Sequence, residues 1–156
     1  MNSPRIFQIA DRITLSGPQT LSLKNLHGSS PAFVISALYQ LEVTRQLNHL
    51  VVCNDAEAAA YFHNSIENLS NALDIFYFPS SFKNKKNYRL LNSSHVMLRT
   101  EALTKWSHGG NRKIMVTYPE ALFEKVVLPK TLSGNIILIK SGDSIDLNGL
   151  MEKMVQ

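Results

Sequence analysis

The sequence predicts an α/β domain: a mainly parallel sheet flanked by helices. Three observations predict it. Short apolar runs of strand length recur at residues 50–53 (LVVC), 74–78 (DIFYF), 113–117 (KIMVT) and 135–139 (NIILI). Between them lie segments with apolar residues at helical spacing, such as Ala59, Phe62 and Ile66, or Val96, Leu103 and Trp106. Strands that alternate with helices pair in parallel through crossover connections. The chain has 156 residues, 44% hydrophobic and 18% charged, which is enough for the core of one ordinary domain.

The first element is an amphipathic helix over residues 3–13, with Ile6, Phe7, Ile9 and Ile13 apolar, broken by Ser16, Gly17 and Pro18. Residues 21–39, LSLKNLHGSSPAFVISALY, read as strand, tight loop and helix. Leu21, Leu23 and Leu26 supply the strand, and His27, Gly28, Ser29 and Ser30 the turn. Ser30 suits the N-cap because its hydroxyl can accept an orphan N–H, and Pro31 suits the first helical position. Phe33, Val34, Ala37 and Leu38 carry the helical spacing, and the helix is expected to run to about Leu47.

The continuous apolar run at 50–53 predicts a strand buried on both faces. Asn54 and Asp55 end it and can cap a helix over 56–69, AEAAAYFHNSIENL. A third strand, 74–78, stops at Pro79. The polar, basic stretch FPSSFKNKKNYR reads as a loop. A helix is expected from about Asn92–Ser94, ended by His108, Gly109, Gly110 and Asn111. The strand at 113–117 leads to a short helix opened by Pro119 and Glu120, and Pro129 closes that segment. A fifth strand at 135–139 and a turn at Gly142 precede a last helix. Met151 and Met154 keep helical spacing up to Gln156, so the sequence reads as cut from a longer chain.

Charge is unevenly spread. Residues 1–78 carry four Lys/Arg against six Asp/Glu, residues 79–113 eight against one, and residues 114–156 four against five. The middle of the chain is a basic segment in a near-neutral domain. Cys53 is the single cysteine, so no internal disulfide forms, which fits a reducing cytoplasm. Its place in an apolar strand pattern makes it a buried structural thiol. There is no apolar run of about 18 residues to span a membrane. The N-terminal MNSPRIFQIADR lacks the apolar core of a signal peptide.

The strand–loop–helix at 21–39 has the shape of a phosphate-binding loop. Laid over residues 25–32, the pattern G-x-x-x-x-G-K-[ST] meets Asn25 and Ser30 at its glycines, Pro31 at its lysine and Ala32 at its Ser/Thr. The lysine would bring the cation to the phosphates and the hydroxyl would hold Mg²⁺. Pro31 supplies neither a cation nor an N–H. Gly28, Ser29, Ser30, Pro31 and Ala32 therefore form a degenerate loop at a helix N-terminus, equally the plain turn of any α/β domain. No metal-ligand spacing or paired-carboxylate motif is present, and His27, His49, His63, His95 and His108 are scattered. The basic segment has two readings. Lys83, Lys85, Lys86 and Arg89 interleave with Phe82 and Tyr88, and Arg112 and Lys113 follow. Cations among aromatics can track a nucleic-acid backbone and stack bases. Alternatively the stretch is a solvated loop that Phe82 or Tyr88 anchors.

Four features stand in order: the degenerate loop LHGSSPAFVISALY, then LVVCNDAEAAAYF, DIFYFPSS and MVTYPEALFEKV. In order and spacing this resembles the N-terminal segment of the bacterial transcription-repair coupling factors, the Mfd family, which is similar to the first domain of the excision-repair protein UvrB. UvrB proteins keep a working Gly-Lys-Thr where this chain has Ser30, Pro31 and Ala32, and they insert a long aromatic hairpin after the third strand where residues 78–91 are short. Both departures favour the coupling factors.

The resemblance implies a degenerate P-loop NTPase-like domain over residues 1–133, with residues 134–156 beginning a smaller α/β domain that in the family binds UvrA. It implies a non-catalytic, cytoplasmic segment with no cofactor of its own. ATP and Mg²⁺ would be handled by motor domains elsewhere in a DNA translocase that meets stalled RNA polymerase and DNA. Two readings compete with it: an independent nucleic-acid-binding module built on residues 79–113, and a small NTPase or degenerate helicase with an unusual loop.

Overall fold

A computed structural model describes residues 3–69, 74–84, 87–110, 112–126, 141, 144, 146–149 and 151. The chain divides into two compact units, Met1–Val126 and Val127–Gln156. In the second, residues 147–149 and 151 are helical, and Asp146 accepts the Asn148 N–H at 3.1 Å. The strand expected at 135–139 lies outside the described residues.

The first unit runs α1 (Pro4–Ile13), α2 (Ser30–Gln40), a 3-10 turn (Glu42–Thr44), β1 (His49–Val52), α3 (Ala56–Leu69) and β2 (Ile75–Tyr77). It continues through β3 (Phe82–Asn84), β4 (Asn87–Leu91), α4 (Ser93–Ser107), β5 (Ile114–Thr117) and α5 (Pro119–Phe123). β1, β5 and β2 form a parallel three-stranded sheet in that order, with His49 and Ile75 both in register with Ile114. β3 and β4 form a separate antiparallel pair.

The strand order explains the layers. The connection from β1 through α3 to β2 passes over β5, and the connection from β2 through α4 returns to it. Right-handed crossovers running in opposite directions place their helices on opposite faces. Side chains agree. Tyr77 meets His63 of α3 at 5.5 Å between ring centroids, while the Lys105 ammonium of α4 lies 5.5 Å from the Phe76 ring. Adjacent strand residues face opposite ways, so α3 and α4 cover opposite faces. β5 is buried at all four positions. Ile66, Phe76, Ile114, Met115, Val116 and Tyr118 dominate the core around it.

Four expectations are corrected. Residues 21–26 form no strand: Asn25 has φ 62°, which breaks an extended run, and Leu21 and Leu23 stay exposed beside α1. α2 ends at Gln40 rather than near Leu47. There the buried Thr44 hydroxyl donates to the carbonyls of Leu38 and Leu41 and so closes the helix end. β1 is not buried on both faces: it lies at the edge of the three-stranded sheet, with Leu50 52% and Val52 50% exposed. The basic stretch read as a loop contains β3 and β4. Its register pairs Phe82 with Leu91 and Asn84 with Asn87, with an irregularity between them.

Other boundaries fall where local chemistry puts them. Asp55 accepts the Ala58 N–H at 2.8 Å and so caps α3. Asn92 is the N-cap of α4, accepting from the His95 N–H at 3.4 Å. At the other end of α4, the buried Lys113 ammonium donates to the carbonyls of Lys105, at 2.7 Å, and His108. A cation there meets orphan acceptors at the negative end of the helix dipole.

Candidate functional site

The degenerate loop enters α2 differently from the sequence expectation. Gly28 takes φ 55°, and Ser29, not Ser30, occupies the cap position. The Ser30 hydroxyl does not cap; it donates to the His27 carbonyl at 2.5 Å. The Ser29 hydroxyl lies 2.9 Å from the Tyr61 hydroxyl of α3. Pro31 stands in the first turn without an N–H, and Ala32 is buried. The loop therefore places no lysine at the helix entrance, and its two hydroxyls have partners within the fold. The three-stranded parallel sheet has no strand from residues 21–26 behind this loop.

The carboxyl ends of the strands are the usual ligand edge of an open α/β sheet. Here they are stitched together. Thr117 donates its hydroxyl to the Phe78 carbonyl at 2.9 Å, and the Ser80 N–H donates to the Tyr118 hydroxyl at 2.8 Å. Arg99 of α4, only 5% exposed, reaches under this edge. Its Nη1 donates to the carbonyls of Pro79 at 2.7 Å and Ala121 at 3.0 Å. Its guanidinium lies 4.0 Å from the Phe78 ring centroid, and its Nε is 3.5 Å from Glu124 Oε1. Glu124 in turn accepts the Ser81 N–H at 2.9 Å. Burial acts to raise the Glu124 carboxyl. Hydrogen bonds from Ser81, the Arg99 charge and a bond from Ser80 outweigh it and hold the group below its usual value.

Sequence reasoning missed Arg99 and Glu124. A signal for Arg99 was present: it stands three residues after Val96, four before Leu103 and seven before Trp106, on the apolar side of its helix. Arg99 is paired at that depth because an unpaired buried charge is costly.

The cations of the basic segment separate into two groups. Arg99 pairs with Glu124, and Lys105 pairs with Glu101 at 2.7 Å. Arg112, at φ 70°, donates to the Tyr39 carbonyl at 3.2 Å and stacks 4.8 Å over the Tyr39 ring. Lys113 is buried at the end of α4. All four have partners within the chain, Lys105 in an exposed surface pair, so the expected contact residues Arg112 and Lys113 have structural partners. Lys83 lies in β3 and Arg89 in β4. Lys85 and Lys86, which stand between the two strands in sequence, lie outside the described residues.

Burial raises the Cys53 thiol, and Asp55 raises it further, so the thiolate needed for nucleophilic chemistry is disfavoured. Tyr77 is pushed up to about 12 by burial, with Tyr118 and Cys53 adding to it. Among the described residues no group of His, Cys, Asp and Glu is placed to hold a metal ion, and no helix is long and apolar enough to cross a membrane. Searches against family models, curated proteins and solved structures return no match.

The histidines give the fold an acid limit. Burial lowers the His49 imidazole, whose Nε2 is buried without a hydrogen-bond partner. Burial also lowers His63, against the opposing charge of Glu67, whose Oε2 is 3.4 Å away. Both groups have ordinary values of 6.5, so below that pH the unfolded chain binds more protons than the folded one. Stability is therefore expected to be flat above this value and to fall below it. Glu124, depressed from an ordinary 4.5, adds a further loss as pH falls below that value towards its folded one. Urea midpoints measured from about pH 8 down to about pH 4 check this, and His49→Gln should flatten the first part of the fall.

Proposed function

We propose that this chain is the UvrB-like N-terminal segment of a transcription-repair coupling factor and works as a non-catalytic scaffold. The observation that carries the reading is the entry to α2. In an α/β domain with a mainly parallel sheet, the loop entering α2, which the sequence pattern aligns with a P-loop although no strand precedes it, supplies nothing to a phosphate: no lysine, no N–H at Pro31, and a buried methyl group at Ala32. A helix N-terminus alone attracts an anion weakly and does not build an NTPase site. On this reading ATP and Mg²⁺ belong to motor domains of the parent protein. This segment's partners are then the other domains of its own chain. UvrA binds the domain that follows, and RNA polymerase and DNA are met by the parent.

Titration calorimetry of the whole chain with Mg²⁺-ATP tests the scaffold. No binding heat is expected at ligand concentrations of about 1 mM, where a site of micromolar affinity would be saturated. Micromolar, Mg²⁺-dependent binding overturns it.

A second reading has one observation in its favour. The basic stretch is an antiparallel β3–β4 pair rather than a plain loop, with Lys83 and Arg89 in its strands. An independent nucleic-acid module built on it would bind DNA with an affinity that falls steeply with salt. The scaffold reading expects no such binding.

A further inference from the structure

The hairpin is mounted through a small buried network that no nucleotide chemistry requires. Ser81, at its base, gives its N–H to Glu124, and its carbonyl accepts the Asn92 N–H at 2.8 Å on the return side. The preceding residue, Ser80, gives its N–H to Tyr118, and its carbonyl lies 2.8 Å from His95 Nδ1. Arg99 joins Pro79, just before the hairpin, to Ala121 and Glu124. Ala121 and Glu124 belong to the segment that leaves the first compact unit, which ends at Val126. Two distant stretches, the hairpin base and the exit segment, thus meet on one side-chain pair.

We infer that Arg99 and Glu124 form a latch that couples the seating of the β3–β4 hairpin to the segment leading out of the first unit. The pair is built to hold without being fully satisfied. Both short bonds from the guanidinium come from Nη1; Nε stands 3.5 Å from Glu124, and Nη2 is buried with no acceptor. A fully engaged arginine would meet a carboxylate with two parallel N–H bonds. A buried donor left without an acceptor favours the opened state, where water satisfies it. Displacing Glu124 by moving the exit segment removes the acceptor for the Ser81 N–H and the counter-charge of Arg99 in one step. Loosening the hairpin withdraws Ser81 from Glu124 in the same way. Coupling of this kind is reciprocal. The inference stands whether or not the scaffold reading holds, since it uses neither the α2 entry nor any partner.

Amide hydrogen exchange on the whole chain, followed by mass spectrometry, tests it. Glu124→Gln is expected to raise exchange across residues 82–91 by at least about tenfold, with those amides exchanging well ahead of α3. Asn87→Pro puts a proline into the hairpin ladder without touching the pair. It is expected to raise exchange across residues 121–126 by a similar factor. Arg99→Lys keeps the charge but loses the fork, and should give an intermediate effect on both segments. A response in one direction only overturns the latch. So does a hairpin that opens no faster than α3, because the pair then serves general stability alone.

Discussion

Replacing Arg99 with methionine is expected to lower the unfolding free energy by about 3–5 kcal/mol, a large share of the roughly 5–15 kcal/mol that holds an ordinary domain folded. Methionine keeps an apolar stem of similar length but loses the guanidinium that lies over the Phe78 ring. It leaves the carbonyls of Pro79 and Ala121 without their donor and the Glu124 carboxylate, 13% exposed, without its counter-charge. The loss comes from stranding those partners more than from the intrinsic worth of a salt bridge. Adding Glu124→Gln to the methionine variant should therefore recover part of the stability, since it removes the buried charge. Urea denaturation of the two single variants and the double variant gives the coupling directly. A cost below about 1 kcal/mol for Arg99→Met would mean that the edge of the sheet does not depend on this residue.

The second large effect is expected at Ile114→Ala, at about 2–5 kcal/mol. Ile114 is 0% exposed and begins the central strand, with β1 on one side and β2 on the other. Helices close both faces, so little surrounding structure is free to collapse into the space left by the lost side chain. Leu50→Ala removes a similar side chain from the edge strand, where Leu50 is 52% exposed, and should cost under about 1 kcal/mol. Comparable losses at the two positions would contradict the sheet order β1-β5-β2.

The elements that were legible in the sequence were those whose pattern is local. α1, α3 and α4 lie where helical spacing placed them, Asp55 caps α3 as expected, and α4 starts at Ser93, within the expected range. The runs at 50–53, 74–78 and 113–117 each match a strand to within one residue at either end. What misled was pattern without a partner. Leu21 and Leu23 alternate with polar residues, but a strand exists only where a ladder receives it, and the described sheet pairs no strand from these residues with β1. The continuous apolar run of β1 implied two covered faces, yet an edge position leaves Leu50 and Val52 out.

The hairpin was hidden because its two strands are joined by Lys85 and Lys86, not by the Asn-Gly or Asp-Gly pair that signals a tight turn. At the α2 entry the missing lysine and hydroxyl could be read directly. The turn of the Ser30 hydroxyl back onto the His27 carbonyl could not, because it depends on a one-residue shift of the helix start. The Arg99–Glu124 pair was the least accessible. The two residues are far apart in sequence, and only the meeting of α4 with the end of α5 brings them together.

The position of β5 also governs the order in which this chain can assemble during synthesis. β1 and β2 leave the ribosome first, but neither pairs with the other; each waits for the strand that lies between them. Until residue 117 has emerged, α3 and α4 have no completed sheet to pack on, and the apolar edges of two strands stand unpaired. Folding of the first unit is thus a late, collective event rather than a stepwise one, governed by long-range closure. The nascent chain carries its greatest risk of wrong pairing in that interval, and the arrival of one four-residue strand ends it.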